Sequence, residues 1–133
     1  MSNVCTGIGG TEGSNVLRQV VLPIVSYKVC KDKMASAGIR LTDNMLCAGY
    51  MEGGKASCSG DSGGPLVCKQ GDRWLQYGVV SFGKGCALPN FPGVYADVVN
   101  LLPWIEQNTG SQYMHIDCTL SPRDVKISRA HWP

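Results

Sequence analysis

Short apolar runs, broken by glycine, proline and polar residues, dominate the first 110 positions of the chain. Val16 to Val25 is rich in Val, Leu and Ile around Pro23, a pattern that suits a strand ending in a bend, because an internal proline removes a helix donor and clashes with the preceding turn. Ser26 is a candidate N-cap, and Val29, Cys30 and Met34 follow it at helical spacing, so a short helix is predicted over Ser26 to Ala35. Apolar runs at Met45 to Tyr50, Pro65 to Lys69, Trp74 to Phe82 and Val94 to Val99, separated by glycine-rich segments, read as further strands. From Asn100 to Asn108, Leu101, Leu102, Trp104 and Ile105 sit behind Asn100 as a candidate N-cap. Pro103 then falls in the first turn, and a terminal helix is predicted. Beyond Gly110 the pattern dissolves. Residues 111–133 are mixed, mostly polar, contain both His115 and His131, and read as a tail or the start of another module. The patterned region, residues 1–110, is therefore expected to be one all-β domain carrying a C-terminal α-helix.

Composition narrows the classes. At 133 residues and 44% hydrophobic content the chain is long enough for one core. Only 17% of residues are charged, the net charge is +2 and no dense Lys/Arg run occurs, so nucleic acid is not an expected partner. No apolar run approaches membrane-spanning length. The seven cysteines include no closely spaced pair of the zinc-site kind, which favours a disulfide framework and implies no metal. Disulfides persist in secreted proteins, yet Met1-Ser2-Asn3-Val4-Cys5 has neither the basic nor the apolar region of an export signal. The two facts agree if the sequence is a piece of a secreted, extracellular parent whose signal lies upstream.

The chemistry concentrates in Ala56-Ser57-Cys58-Ser59-Gly60-Asp61-Ser62-Gly63-Gly64-Pro65-Leu66-Val67-Cys68. Glycines on both sides of Ser62 permit backbone angles and close approaches that a side chain would block, so main-chain amides can converge beside an exposed hydroxyl. Donors so placed stabilise the negative charge that develops when a nucleophile attacks a carbonyl. Gly60 and Ser62 are the expected donors. A Gly/Ser surface turn with a coincidental serine is the bland alternative. The nucleophile elbow of α/β-hydrolases is a sharper one, since Gly60-Asp61-Ser62-Gly63-Gly64 formally matches it. That elbow needs a helix straight after the serine, and Pro65 followed by Leu66-Val67-Cys68 reads as a strand.

From Gly7 to about Thr109 the sequence resembles the second half of a chymotrypsin/trypsin-family serine endopeptidase. The match runs through Val20-Val21-Leu22-Pro23-Ile24-Val25, Met45-Leu46-Cys47-Ala48-Gly49-Tyr50, Gly60 to Pro65, Val80-Ser81-Phe82-Gly83, and Pro92-Gly93-Val94-Tyr95 leading to Trp104-Ile105. The resemblance implies the second, C-terminal β-barrel of a two-barrel protease. It makes Ser62 the nucleophile and Gly60 with Ser62 the oxyanion hole. Asp61 corresponds to the carboxylate that meets a new N-terminal amine after zymogen cleavage. Ile8-Gly9-Gly10 has no preceding Arg or Lys and aligns with a turn, so no activation site is present and Asp61 is expected to be a solvated loop acid.

By the same resemblance Ser81-Phe82-Gly83 is the strand that pairs with extended substrate. Ala56, six residues before the nucleophile, lies on the floor of the specificity pocket beside Ser57, with Gly83 and Gly93 in its walls. Trypsin-like members carry Asp at the position of Ala56. Without it nothing balances a buried Lys or Arg, so an apolar or aromatic residue is expected before the cut. Phe82 and Ile8 stand where the family usually has Trp, and Pro92 argues against the sodium-binding variant. The implied disulfides are Cys30 with Cys47, Cys58 with Cys86, and Cys5 with Cys68. Cys5 sits two positions closer to the Gly7 turn than the family pattern has it, about 6.6 Å along a strand. Cys118 has no counterpart.

In the chymotrypsin arrangement the chain order is His, then Asp, then Ser, so both partners of Ser62 are expected upstream of Met1. The family function is peptide-bond hydrolysis by acyl transfer, with polypeptide substrates or protein inhibitors as partners and no cofactor. This chain by itself is expected to be inactive, because an unassisted serine hydroxyl is a poor nucleophile. Its other expected partner is the missing N-terminal barrel. The alternative function is a non-catalytic, protease-like binding module or decoy.

Overall fold

The structure is a computed structural model that describes residues 19–70, 72–110 and 125–128. In chain order the elements are β1 (Gln19–Val21), β2 (Ile24–Val25), α1 (Tyr27–Ala35), β3 (Met45–Ala48), β4 (Pro65–Gln70), β5 (Arg73–Phe82), β6 (Gly93–Asp97), α2 (Val98–Thr109) and β7 (Val125–Ser128). All strand pairings are antiparallel, in one sheet of order β1-β7-β4-β5-β6-β3-β2. Its two end strands, β1 and β2, are separated in the chain only by Leu22 and Pro23. The sheet must therefore curl until its edges meet at that bend. The run expected over Val16 to Val25 is thus one strand interrupted at Pro23, with residues 16–18 outside the described region.

Alternation along β6 divides the interior. Tyr95 belongs to a cluster with Leu22, Ala48, Leu66, Cys68, Tyr77 and Val80, whereas its neighbour Val94 packs with Cys30, Met34, Leu41 and Cys47. Successive strand residues point to opposite faces, so β6 is the shared wall of both clusters. Full burial of Leu22, Leu66 and Met34 contributes roughly 1.5–3 kcal/mol each. Helix α1 covers the second cluster with Cys30 and Met34, which share a helix face at i, i+4. Its N-cap is Ser26, whose side chain accepts from the Val29 amide at 3.4 Å.

Helix α2 begins earlier than the pattern predicted. Its N-cap is Asp97, not Asn100: the Asp97 carboxylate accepts from the Asn100 amide at 3.2 Å. Val98 and Val99 read as strand because they are β-branched, but the carboxylate just before them supplies a strong cap. Pro103 consequently lies inside the helix. Its missing N–H leaves the Val99 carbonyl without the usual i−4 donor. The helix stops at Gly110, which takes φ 67° and donates to the Glu106 carbonyl at 3.0 Å.

Residues 125–128, within the segment read as aperiodic, form β7 and pair with both β1 and β4. The predicted disulfides Cys30–Cys47 and Cys58–Cys86 are present. Cys68 is buried in the first cluster. Its expected partner Cys5, together with Ile8, His115, Cys118 and His131, lies outside the described residues.

Candidate active site around Ser62

Two consecutive four-residue turns build the Ser62 loop. In Cys58-Ser59-Gly60-Asp61 the Asp61 amide donates to the Cys58 carbonyl at 3.0 Å, and in Asp61-Ser62-Gly63-Gly64 the Gly64 amide donates to the Asp61 carbonyl at 2.9 Å. The third residue of each turn, Gly60 with φ 89° and Gly63 with φ 82°, occupies the left-handed region that a type II turn demands there. The glycines flanking Ser62 are thus set by turn chemistry. The Asp61 carboxylate reinforces the first turn by accepting from the Cys58 amide at 2.8 Å through Oδ2. Asp61 is half-buried and tied to the loop, rather than the solvated acid expected for it.

The loop is anchored to β5 by a reciprocal pair: Gly63 donates to the Val80 carbonyl at 2.9 Å and Val80 donates to the Gly64 carbonyl at 2.8 Å. Ser62 sits at the second position of its turn and is exposed. The amides of Asp61, Gly63 and Gly64 are all engaged in these bonds, while those of Gly60 and Ser62 donate to no acceptor among the described residues.

Beside the loop lies a cavity of about 310 Å³, in the range of small-ligand sites. Ser62, Ala56, Ser57, Ser81, Phe82, Gly83 and Gly93 all line it. Gly60 does not; it lies in the preceding turn. The opposing walls come from loops distant in sequence and fastened together. Cys58 is bonded to Cys86, the Gly54 amide donates to the Ala87 carbonyl at 2.9 Å, and the Asn90 amide donates to the Met51 carbonyl at 2.8 Å.

Among the described residues no carboxylate lines the cavity. Of its lining hydroxyls, that of Ser57 shares a 3.1 Å hydrogen bond with the hydroxyl of Tyr95. Tyr95 is fully buried, and burial is the main cause that pushes its phenol up to about 12; the charge of Asp61 acts in the same direction and the Ser57 bond opposes it. Gly93 is required by space here, since a β-carbon at that position would stand 3.0 Å from the Tyr95 hydroxyl. At the rim the Lys84 ammonium lies 4.3 Å from the centre of the Phe91 ring, another lining residue.

Tyr95 has no role in the sequence-based reading, although a signal for it exists. Gly93 and Tyr95 are two apart on one strand and must share a face, so a wall glycine at 93 puts the residue at 95 beneath it. Phe91, Ala87 and Gly85 line the cavity from a loop without periodicity, and nothing in the apolar pattern marks them.

Residues 2–105 match the family profile described as Trypsin. The chain belongs to the trypsin family of serine proteases. Transmembrane protease serine 5 of Homo sapiens is 52% identical over 95 residues, which is 71% of this chain and 21% of that protein. The chain therefore spans about a fifth of the length of this curated relative. The mostly-sheet architecture with few helices fits the chymotrypsin-like fold of the trypsin family, and serine-type endopeptidase activity is the activity of that family. Among the described residues no helix is long and apolar enough to cross a membrane.

Proposed function

We propose that this chain carries the serine-bearing half of a trypsin-family endopeptidase site, formed on the second barrel of the two-barrel fold. Ser62 is the nucleophile, and the amides of Gly60 and Ser62 receive the oxyanion. The observation that carries this reading is the double turn: it leaves the Ser62 hydroxyl exposed beside a cavity and engages the amides of Cys58, Asp61, Gly63 and Gly64, while those of Gly60 and Ser62 meet no acceptor among the described residues. An acyl group bound there would form its ester bond through Ser62 Oγ as the leaving amine departs, with water later releasing the acid.

A hydroxyl needs a base to do this, and the two histidines of the chain lie beyond α2. The base and its orienting carboxylate are proposed to come from the other barrel, so that the chain alone turns over no substrate. Loss of such a base costs on the order of a millionfold in turnover, and loss of the carboxylate alone on the order of ten-thousandfold. The oxidised pairs Cys30–Cys47 and Cys58–Cys86 support an extracellular setting. A polypeptide substrate or a protein inhibitor would lay its chain along Ser81-Phe82-Gly83 by β-augmentation.

The cavity chemistry supports a neutral, apolar or aromatic side chain before the cut. Ala56 offers no charge, and the Ser57 hydroxyl is already committed to Tyr95. Labelling with a fluorophosphonate, followed by peptide mapping, tests the assignment. The chain alone should label weakly, and Ser62 should label strongly once the chain is refolded with a polypeptide supplying the His- and Asp-bearing barrel. Modification spread over other serines at the same rate would sink the nucleophile reading. In the reconstituted form, faster cleavage after Arg or Lys than after Phe or Leu would sink the pocket reading alone.

A further inference from the structure

Lys84 follows directly on Ser81-Phe82-Gly83, and it is exposed between Gly83 and Gly85, which both line the cavity. Its ammonium does not trail into solvent. It stands over the Phe91 ring, 4.3 Å from the centre, within the range at which the face of an aromatic ring attracts a cation. That ring is itself anchored, since Phe91 packs against the second cluster of Cys30, Met34, Leu41, Cys47 and Val94 while it lines the cavity. Among the described residues no carboxylate forms an ion pair with Lys84, and none lines the cavity. A positive charge thus sits on an anchored platform beside a neutral cavity, with no acid opposite it.

We propose that Lys84, seated on Phe91, selects an acidic side chain two residues before the apolar or aromatic residue that fills the cavity. The substrate class becomes an extended segment of an acidic residue, any residue, then an apolar or aromatic residue, cut after the last. This rests on the reading of the cavity and of Ser81-Phe82-Gly83 given above. The Ser62 loop is anchored to β5 at Val80, so the reacting bond lies at the Ser81 end of that run and Lys84 lies at the other end. Every strand pairing in the sheet is antiparallel. A bound chain that pairs in the same sense points its earlier residues toward Lys84. In an extended chain alternate side chains share a face, about 6.6 Å apart. The residue opposite Ser81 enters the cavity, and the side chain two positions earlier comes opposite Gly83, where no side chain intervenes before the ammonium. An ion pair open to solvent is weak, so the selection amounts to about threefold at low ionic strength.

The test is a binding measurement on the full chain and needs no turnover. The peptides acetyl-Glu-Ala-Phe-amide and acetyl-Gln-Ala-Phe-amide, equal in shape and different in charge, are titrated while the NMR signals of the Phe82, Gly83 and Gly93 amides are followed. Both should shift these signals, with the Glu peptide binding about threefold tighter at low ionic strength and losing that advantage at about 1 M salt, where the screening length is about 3 Å. Lys84→Gln should bring the ratio of the two affinities to about one, and Lys84→Arg should retain it. Phe91→Leu, which keeps the wall apolar but removes the ring, should reduce the ratio; an unchanged ratio overturns the seating on Phe91. Equal binding of the two peptides, or an advantage that survives Lys84→Gln, overturns the selection by Lys84 and leaves the reading of the cavity standing. A reversed peptide, acetyl-Phe-Ala-Glu-amide, that gains as much from Lys84 overturns the proposed order of residues. If neither of the first two peptides shifts the three amides, the reading of the cavity itself fails and the proposal falls with it.

Discussion

Ser57→Ala offers the sharpest measurement of how the cavity lining is supported from behind. The substitution removes the described hydrogen-bond partner of the Tyr95 hydroxyl, which is 0% exposed and cannot turn to bulk water. An orphaned buried hydroxyl costs about 1–3 kcal/mol. Tyr95→Phe should be milder, about 0.5–1.5 kcal/mol, because it removes the buried polar atom itself, and the Ser57 hydroxyl left behind lines the cavity and can find water. The double variant should cost less than the sum of the two, with a coupling of about 1 kcal/mol. Chemical denaturation of the three variants and the parent, compared at constant m-value, provides all four numbers.

A pH series adds an independent arm. The phenol of Tyr95 ionises near 10.0 in the unfolded chain and is pushed up to about 12 in the folded one, chiefly by burial. Between those values the unfolded state has lost the proton that the folded state keeps, so stability falls as pH rises through the window and is fully present below 10. The loss is about 3 kcal/mol by the upper end. Tyr95→Phe should flatten that part of the curve, which separates this group from the lysines and other tyrosines titrating nearby. A Ser57→Ala cost below about 0.5 kcal/mol with no coupling, or identical alkaline curves for the parent and Tyr95→Phe, would refute the Ser57–Tyr95 pairing.

Three further outcomes are expected. Gly63→Ala should cost about 1–2 kcal/mol in a thermal or denaturant melt, purely for its positive φ, because a β-carbon there meets nothing within 4 Å. Gly93→Val should abolish the binding of an aromatic probe such as indole, followed by NMR chemical shifts, since the new side chain enters the cavity against the Tyr95 hydroxyl. Replacing Cys58 and Cys86 together by alanine opens a loop of sequence separation 28 and should lower stability by about 3–4 kcal/mol, read from the denaturation midpoint.

Elements whose physics is local were legible in the chain. The Ser26 cap and the Cys30/Met34 stripe give α1, and alternation between turn residues gives β3 to β6. The glycines beside Ser62 announced a special backbone, and the structure assigns them a specific cause in two successive type II turns. Legibility failed where two local rules competed or where the determinant was distant. Val98 and Val99 favour strand by side-chain shape, yet the adjacent Asp97 carboxylate wins them for α2. Four residues of alternating pattern at 125–128 carry too little signal to stand out of a polar segment; only β1 and β4, far away in sequence, make them a strand. Tyr95 was likewise invisible as a support for the cavity lining until Gly93 above it and Ser57 beside it were brought together in space.

The shared wall formed by β6 ties the shape of the cavity to the helical layer behind it. Val94 rests on Cys30, Met34 and Leu41, while the next residue, Tyr95, lies behind the cavity lining and is bonded to the lining residue Ser57. A change of side-chain volume under α1 has one peptide bond to travel before it reaches Tyr95 and, through it, the Ser57 hydroxyl. Redesign of what the cavity accepts must therefore treat α1 as part of the mould, and libraries confined to the lining residues will sample only those shapes that the helix already permits.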